Sequence, residues 1–137
     1  MNDVALNLVE RVLPQVPIRQ WVCSLPWQLR YLLGYDRVLC AAVLQAFVTE
    51  LMGSYKKRAK RELGLRSVQQ AHTGTVTFVQ RFDSALRLNV HAHTLALDGV
   101  YVRDADSSEL RFHALAEPSS QDVHELARRT AAHSTRS

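Results

Sequence analysis

Apolar residues recur at Leu39, Val43, Ala46, Phe47, Leu51 and Tyr55, the three-and-four spacing that places them on one face of a helix. Asp36 stands where an N-cap is needed, and Gly64 stands where a helix can close in the left-handed region. The pattern predicts one long helix over about residues 37–62. Upstream, Val4, Leu8 and Val12 predict a short helix and then a loop within residues 1–18. Arg19 to Leu25 is β-rich and stops at Pro26, which predicts a strand. Pro26 to Leu33 predicts a short helix with proline in its first turn, ended by Gly34.

Beyond Gly74 the period changes. Gly74 to Phe82 is β-branched and aromatic, and Leu88 to Asp98 alternates as a second strand. Asp98-Gly99 carries a tight-turn signal. Val100–Arg103 and Glu109–Leu115 predict two further strands around the polar stretch 104–108. Ser119 or Ser120 can cap a last helix over about residues 121–132, with a frayed tail over 134–137. Sequential strands with short connections and helices on one face predict an α+β fold built on a central antiparallel sheet.

Composition agrees with a single globular domain spanning residues 1–137. The chain is 47% hydrophobic and 22% charged, with 5 Gly, 4 Pro and 2 Cys, which excludes collagen-like, low-complexity and disulfide-scaffold classes. Cys23 and Cys40 have no metal-type spacing and read as small core residues. No contiguous apolar run approaches membrane length and no signal peptide is visible, so the expected location is the cytoplasm, with no membrane partner.

Charge changes the picture locally. The net +4 sits in one place: Lys56, Lys57, Arg58, Lys60, Arg61 and Arg66 stand within eleven residues against Glu62 alone. The remaining 11 basic and 12 acidic residues nearly cancel. Such a cluster suits a phosphate backbone, and equally a solvated helix end whose cations complement the dipole.

The candidate chemistry lies in His91-Ala92-His93. On a strand, residues i and i+2 share a face, so the two imidazoles stand side by side while Ala92 points the other way. Two neutral imidazoles form a good chelate for a divalent cation; two hydrogen-bonded packing histidines are the alternative. If 74–82 and 89–98 pair as a hairpin with Phe82 opposite Asn89, Gln80 falls opposite His91 and is the polar residue on an otherwise apolar face of Val76, Phe78 and Phe82. A one-residue slip would move it to the other face. Asp83 is the other nearby oxygen donor. Two imidazoles and one oxygen leave open positions that suit Mg²⁺ or Mn²⁺ with a phosphate. Arg81 and Arg87 flank this hairpin as candidate phosphate contacts. Trp21, Trp27, Tyr31 and Tyr35 could stack on bases but more often fill a core.

The stretches RQWVCSLPWQLRYLLGYD and TVTFVQRFDSALRLNVHAHTLALDGVYV, with the histidine–hydrophobe–histidine signature at His91–His93, resemble the HUH-type two-tyrosine transposases of rolling-circle insertion sequences over roughly residues 17–115. The resemblance implies a nuclease domain whose histidine pair and third polar ligand (Gln80) hold a divalent metal at a scissile phosphate of single-stranded DNA, with a tyrosine forming a covalent phosphotyrosine link. It implies DNA, and no small molecule, as substrate. Two departures stand out. The family carries its tyrosines downstream of the histidine strand, whereas the last tyrosine here is Tyr101; the family also begins with a cysteine-rich zinc segment that has no counterpart here. The chain then reads as a fragment of such an enzyme without its nucleophile. The alternatives are a non-catalytic DNA-binding remnant with packed histidines and a metal-dependent phosphoesterase that uses water.

Overall fold

In the computed structural model, residues 15–24, 35–82, 85 and 88–134 are described. The expected short helices within 1–18 and 26–33, with Trp27 and Tyr31, fall wholly or mostly outside them, as do Asp83, Arg87 and residues 135–137. The described elements run in the order β1 (Ile18–Ser24), α1 (Arg37–Leu63), a 3-10 turn (Val68–Gln70), β2 (Thr75–Phe82), β3 (Leu88–Leu97), β4 (Gly99–Arg103), β5 (Leu110–Ala114) and α2 (Ser120–Ser134). The architecture is α+β with antiparallel strands, as the pattern predicts.

Helix α1 forms where its caps dictate. The Asp36 side chain accepts from the Leu39 N–H at 3.0 Å. Gly64 ends the helix at φ 65°, a conformation that costs a side-chain-bearing residue free energy. Ser119 and Asp122 cap α2 reciprocally: the Asp122 N–H donates to Ser119 Oγ at 3.1 Å and the Ser119 N–H to Asp122 Oδ2 at 2.9 Å. By length and hydropathy α1 would also suffice to cross a membrane, a property that a search for contiguous apolar runs misses. Here its apolar face packs on the sheet.

One central sheet was expected; two are found. The first has the order β1-β3-β2 and the second pairs β4 with β5. The difference arises at Asp98-Gly99, which is a corner and not a hairpin turn. β3 ends at Leu97, the chain turns, and β4 joins β5 while a bridge from His72 to Tyr101 lies along its other edge. Gly99 is required there by close approach: a Cβ would collide with the His113 carbonyl and lie 2.9 Å from the Ala114 Cα.

The sheet has two unlike faces. On β3, Val90, Ala92, Thr94 and Ala96 are all buried, and the Thr94 hydroxyl is satisfied by Thr77 across the ladder at 2.9 Å. This is the helix side. Ala96 joins Phe47, Leu51, Tyr55 and Ala59 of α1, Val100, Leu115 and Leu126 of α2 in the main core. Cys40 and Val90 form a second cluster near the start of α1. Cys40 is thus a core residue, and Cys23 packs half-buried against the main cluster.

A polar chain is threaded through this core. Arg19 donates to both oxygens of Asp98, from Nε and Nη2, at 3.0 Å each. The Tyr55 hydroxyl donates to Asp98 Oδ1 at 3.1 Å and accepts from Trp21 Nε1 at 3.1 Å. Burial pushes the Tyr55 hydroxyl up to about 12. Trp21 therefore fills the core, with its ring edge-on to Tyr55 at 6.2 Å. Asp98→Ala leaves a guanidinium and a buried hydroxyl without their acceptor. We expect urea unfolding to show a loss of about 2–3 kcal/mol, the scale of broken hydrogen bonds to a charged group; a change below about 0.5 kcal/mol would contradict this role.

Candidate metal centre

Strand alternation sends the opposite set of β3 residues to the face turned away from α1, among the described helices. His91, His93, Leu95 and Leu97 share that face, as expected from the sequence. Both ladders fix what stands beside them. Gln80 of β2 is the partner of His91, and Phe78 is the partner of His93. On the other side Ser24 of β1 pairs with His91 and Val22 with His93. His91 thus sits between two polar residues, and His93 between two apolar ones.

The expected Gln80–His91 register is found, with one local change. Phe82 pairs with Leu88 instead of Asn89, because the ladder shifts register between Gln80 and Phe82. The shift lies beyond Gln80, so it does not move Gln80 off the histidine face.

The two imidazoles are 4.8 Å apart, centroid to centroid, and inclined by 68°. Both side chains are half-exposed, while Gln80, Gln20 and Ser24 are exposed. His93 is held below the usual imidazole range, first by burial and then by the neighbouring His91. Its neutral, lone-pair-bearing form is the one a metal needs. Two imidazoles, with an amide side chain on the ladder partner of His91, are groups that can coordinate a divalent cation. Among the described residues no cluster of three His, Cys, Asp or Glu side chains stands in ligand arrangement. Of the residues expected from the sequence, this face brings together His91, His93 and Gln80.

Two residues on this face went unnoticed in the sequence. Gln20 places its amide nitrogen 2.9 Å from His93 Nδ1, and Ser24 is the ladder partner of His91. The alternation Gln20, Val22, Ser24 on β1 was visible, but its register against a strand some seventy residues away was not.

The basic cluster is divided by the fold. Lys57, Lys60, Arg61 and Arg66 are exposed and Lys56 is half-buried. Arg58 is turned inward at 2% exposure, with Nη2 donating to the Ala116 carbonyl at 3.0 Å and the guanidinium 4.8 Å from the Tyr55 ring centroid. Lys57, Arg58 and Arg61 also line the groove between α1 and α2, where Asp122 and Glu125 face them. Asp122 Oδ1 lies 3.9 Å from Arg61 Nη2. The Ser119 N–H and hydroxyl, with Arg58 and Arg61 beyond, hold the Asp122 carboxyl below its usual range. Part of the apparent excess charge is thus spent inside the chain. Arg81, at the register shift, is half-buried.

Among the tyrosines, Tyr55 lies on the helix side with its hydroxyl committed to Asp98. Tyr101 stacks edge-on to Phe112 at 5.2 Å. Tyr35 is 80% exposed before α1. The described residues assign no nucleophile to the histidine face. Comparison with protein-family models, with curated proteins and with solved structures finds no match.

The division of the cluster predicts opposite behaviour for its members. Arg58→Ala is expected to cost about 2 kcal/mol in urea unfolding, through a lost hydrogen bond, a lost ring contact and lost packing. Lys60→Ala and Arg66→Ala are expected to stay within about 0.5 kcal/mol of the parent. Equal effects at all three positions would contradict the assignment.

Proposed function

We propose that the chain is a DNA-processing domain in which His91, His93 and Gln80 hold Mg²⁺ or Mn²⁺ against a phosphodiester of single-stranded DNA, as in the HUH-type transposases it resembles. The observation that carries this reading is the placement of Gln80 directly across the ladder from His91, on the sheet face that also carries His93 and lies opposite the side packed on α1. A divalent cation bound there supplies Lewis-acid polarisation of a phosphate oxygen. The chain's own residues do the rest. The rigid central strand sets the spacing of the two imidazoles. Burial and the neighbouring His91 push the His93 imidazole below its usual range, toward the form that carries a free ring lone pair. The exposed cations Lys57, Lys60, Arg61 and Arg66 offer a backbone-tracking surface.

The reading separates from its competitors on a denaturing gel. Single-stranded oligonucleotides incubated with the protein and Mn²⁺ give a protein–DNA adduct if a tyrosine acts. They give free cleaved product if water acts, and binding without reaction if the domain only holds DNA. Mn²⁺ binding is the common requirement of the first two. We expect it to fall by at least tenfold in His91→Ala and His93→Ala; unchanged affinity would contradict the site. Affinity for single strands is expected to fall with salt at about −0.7 in the log–log slope per phosphate contacted. A flat salt dependence would contradict the role of the basic surface.

A further inference from the structure

Gln20 lies on β1, outside the stretch that carries the histidine signature. It pairs with Leu95 in the ladder and so stands diagonally from His93, on the same face. A diagonal neighbour is reachable by a long side chain, and the glutamine amide does reach: its nitrogen is 2.9 Å from His93 Nδ1. It is not there to fill the core, because its side chain is exposed. Its backbone is held by the Arg19–Asp98 bridge at the adjoining position.

We infer that Gln20 is the positioning residue of His93: its side-chain amide engages Nδ1, fixes the ring's rotation, and leaves Nε2 as the nitrogen for coordination. This rests on the metal reading of the sheet face. The proton balance makes the role specific. A neutral imidazole carries one N–H. With the amide N–H donating to Nδ1, the ring proton is on Nε2. When Nε2 gives its lone pair to a cation, the ring proton must sit on Nδ1, and the partner must accept it. A glutamine can serve both states by turning its amide, so that Oε1 replaces Nε2 opposite the ring. Alanine can serve neither. Glutamate serves the coordinated state alone, and serves it more strongly, as a charge-assisted acceptor.

The test uses the full chain and Mn²⁺ or Mg²⁺ alone. Free Mn²⁺ is titrated by electron paramagnetic resonance against the parent, Gln20→Ala and Gln20→Glu. We expect Gln20→Ala to bind Mn²⁺ about tenfold to a hundredfold more weakly, the usual scale for losing the outer partner of a ligating histidine. Gln20→Glu is expected to bind as tightly as the parent or more tightly. Long-range ¹H–¹⁵N spectra of the His93 ring give a second readout, which a merely structural role would not move. Saturating Mg²⁺ should drive the parent to the Nδ1–H tautomer, and Gln20→Ala should show a mixture. Parent-like affinity and tautomer in Gln20→Ala, with the parent binding Mn²⁺, overturns the role of Gln20 alone. Absence of Mn²⁺ binding by the parent overturns the metal reading and this inference with it.

Discussion

The carboxylate of Asp98 is the point on which the rest of the structure hangs. It takes a two-pronged bridge from Arg19 of β1 and a hydrogen bond from Tyr55 of α1. Its backbone continues the same function: its N–H donates to the Pro17 carbonyl at 2.8 Å, and its carbonyl accepts from the Leu115 N–H at 3.2 Å. One residue therefore ties the start of β1, the middle of the long helix, the corner between the two sheets and the approach to α2. A carboxylate so enclosed is tolerable only because its partners are complete, and removing any one of them leaves a polar group stranded.

The candidate site inherits its geometry from this node. With Arg19 pinned to Asp98, β1 can lie against β3 only in the register that sets Ile18 beside Leu97, Trp21 beside Thr94 and Ser24 beside His91. Trp21 then enters the core, and the intervening residues Gln20, Val22 and Ser24 are turned to the histidine face. The helix side and the histidine side of the sheet are thus two consequences of one alignment. The first holds the domain together. The second leaves half-exposed imidazoles bordered by amides and a hydroxyl.

Much of the frame was legible in the sequence, wherever local chemistry decides. Asp36 and Gly64 bracket α1 because capping is a matter of a few adjacent residues, and the Gln80–His91 pairing followed from the short connection between β2 and β3. The sequence was less informative where distant segments meet. Asp98-Gly99 has the composition of a hairpin turn, yet the glycine serves close backbone approach to β5, and the aspartate serves Arg19 and Tyr55. Arg58 reads as one more cation in a basic run, and its burial follows only from where Tyr55 and Ala116 lie. Gln20 was invisible as a neighbour of His93 for the same reason. The transposase resemblance supplied an expectation for the site's chemistry, and the ladder supplies the neighbourhood in which that chemistry can be tested.

The central claim is that His91, His93 and Gln80 together hold a divalent cation. Anomalous diffraction from a crystal of the protein soaked in Mn²⁺ addresses it without reference to activity or partner. The account predicts a single strong peak on the histidine face of the β1-β3-β2 sheet, within coordination distance of a ring nitrogen from each histidine and of the Gln80 amide oxygen, at roughly 2.0–2.3 Å. Mn²⁺ scattered over surface carboxylates, with the imidazoles hydrogen-bonded only to protein neighbours, would contradict it.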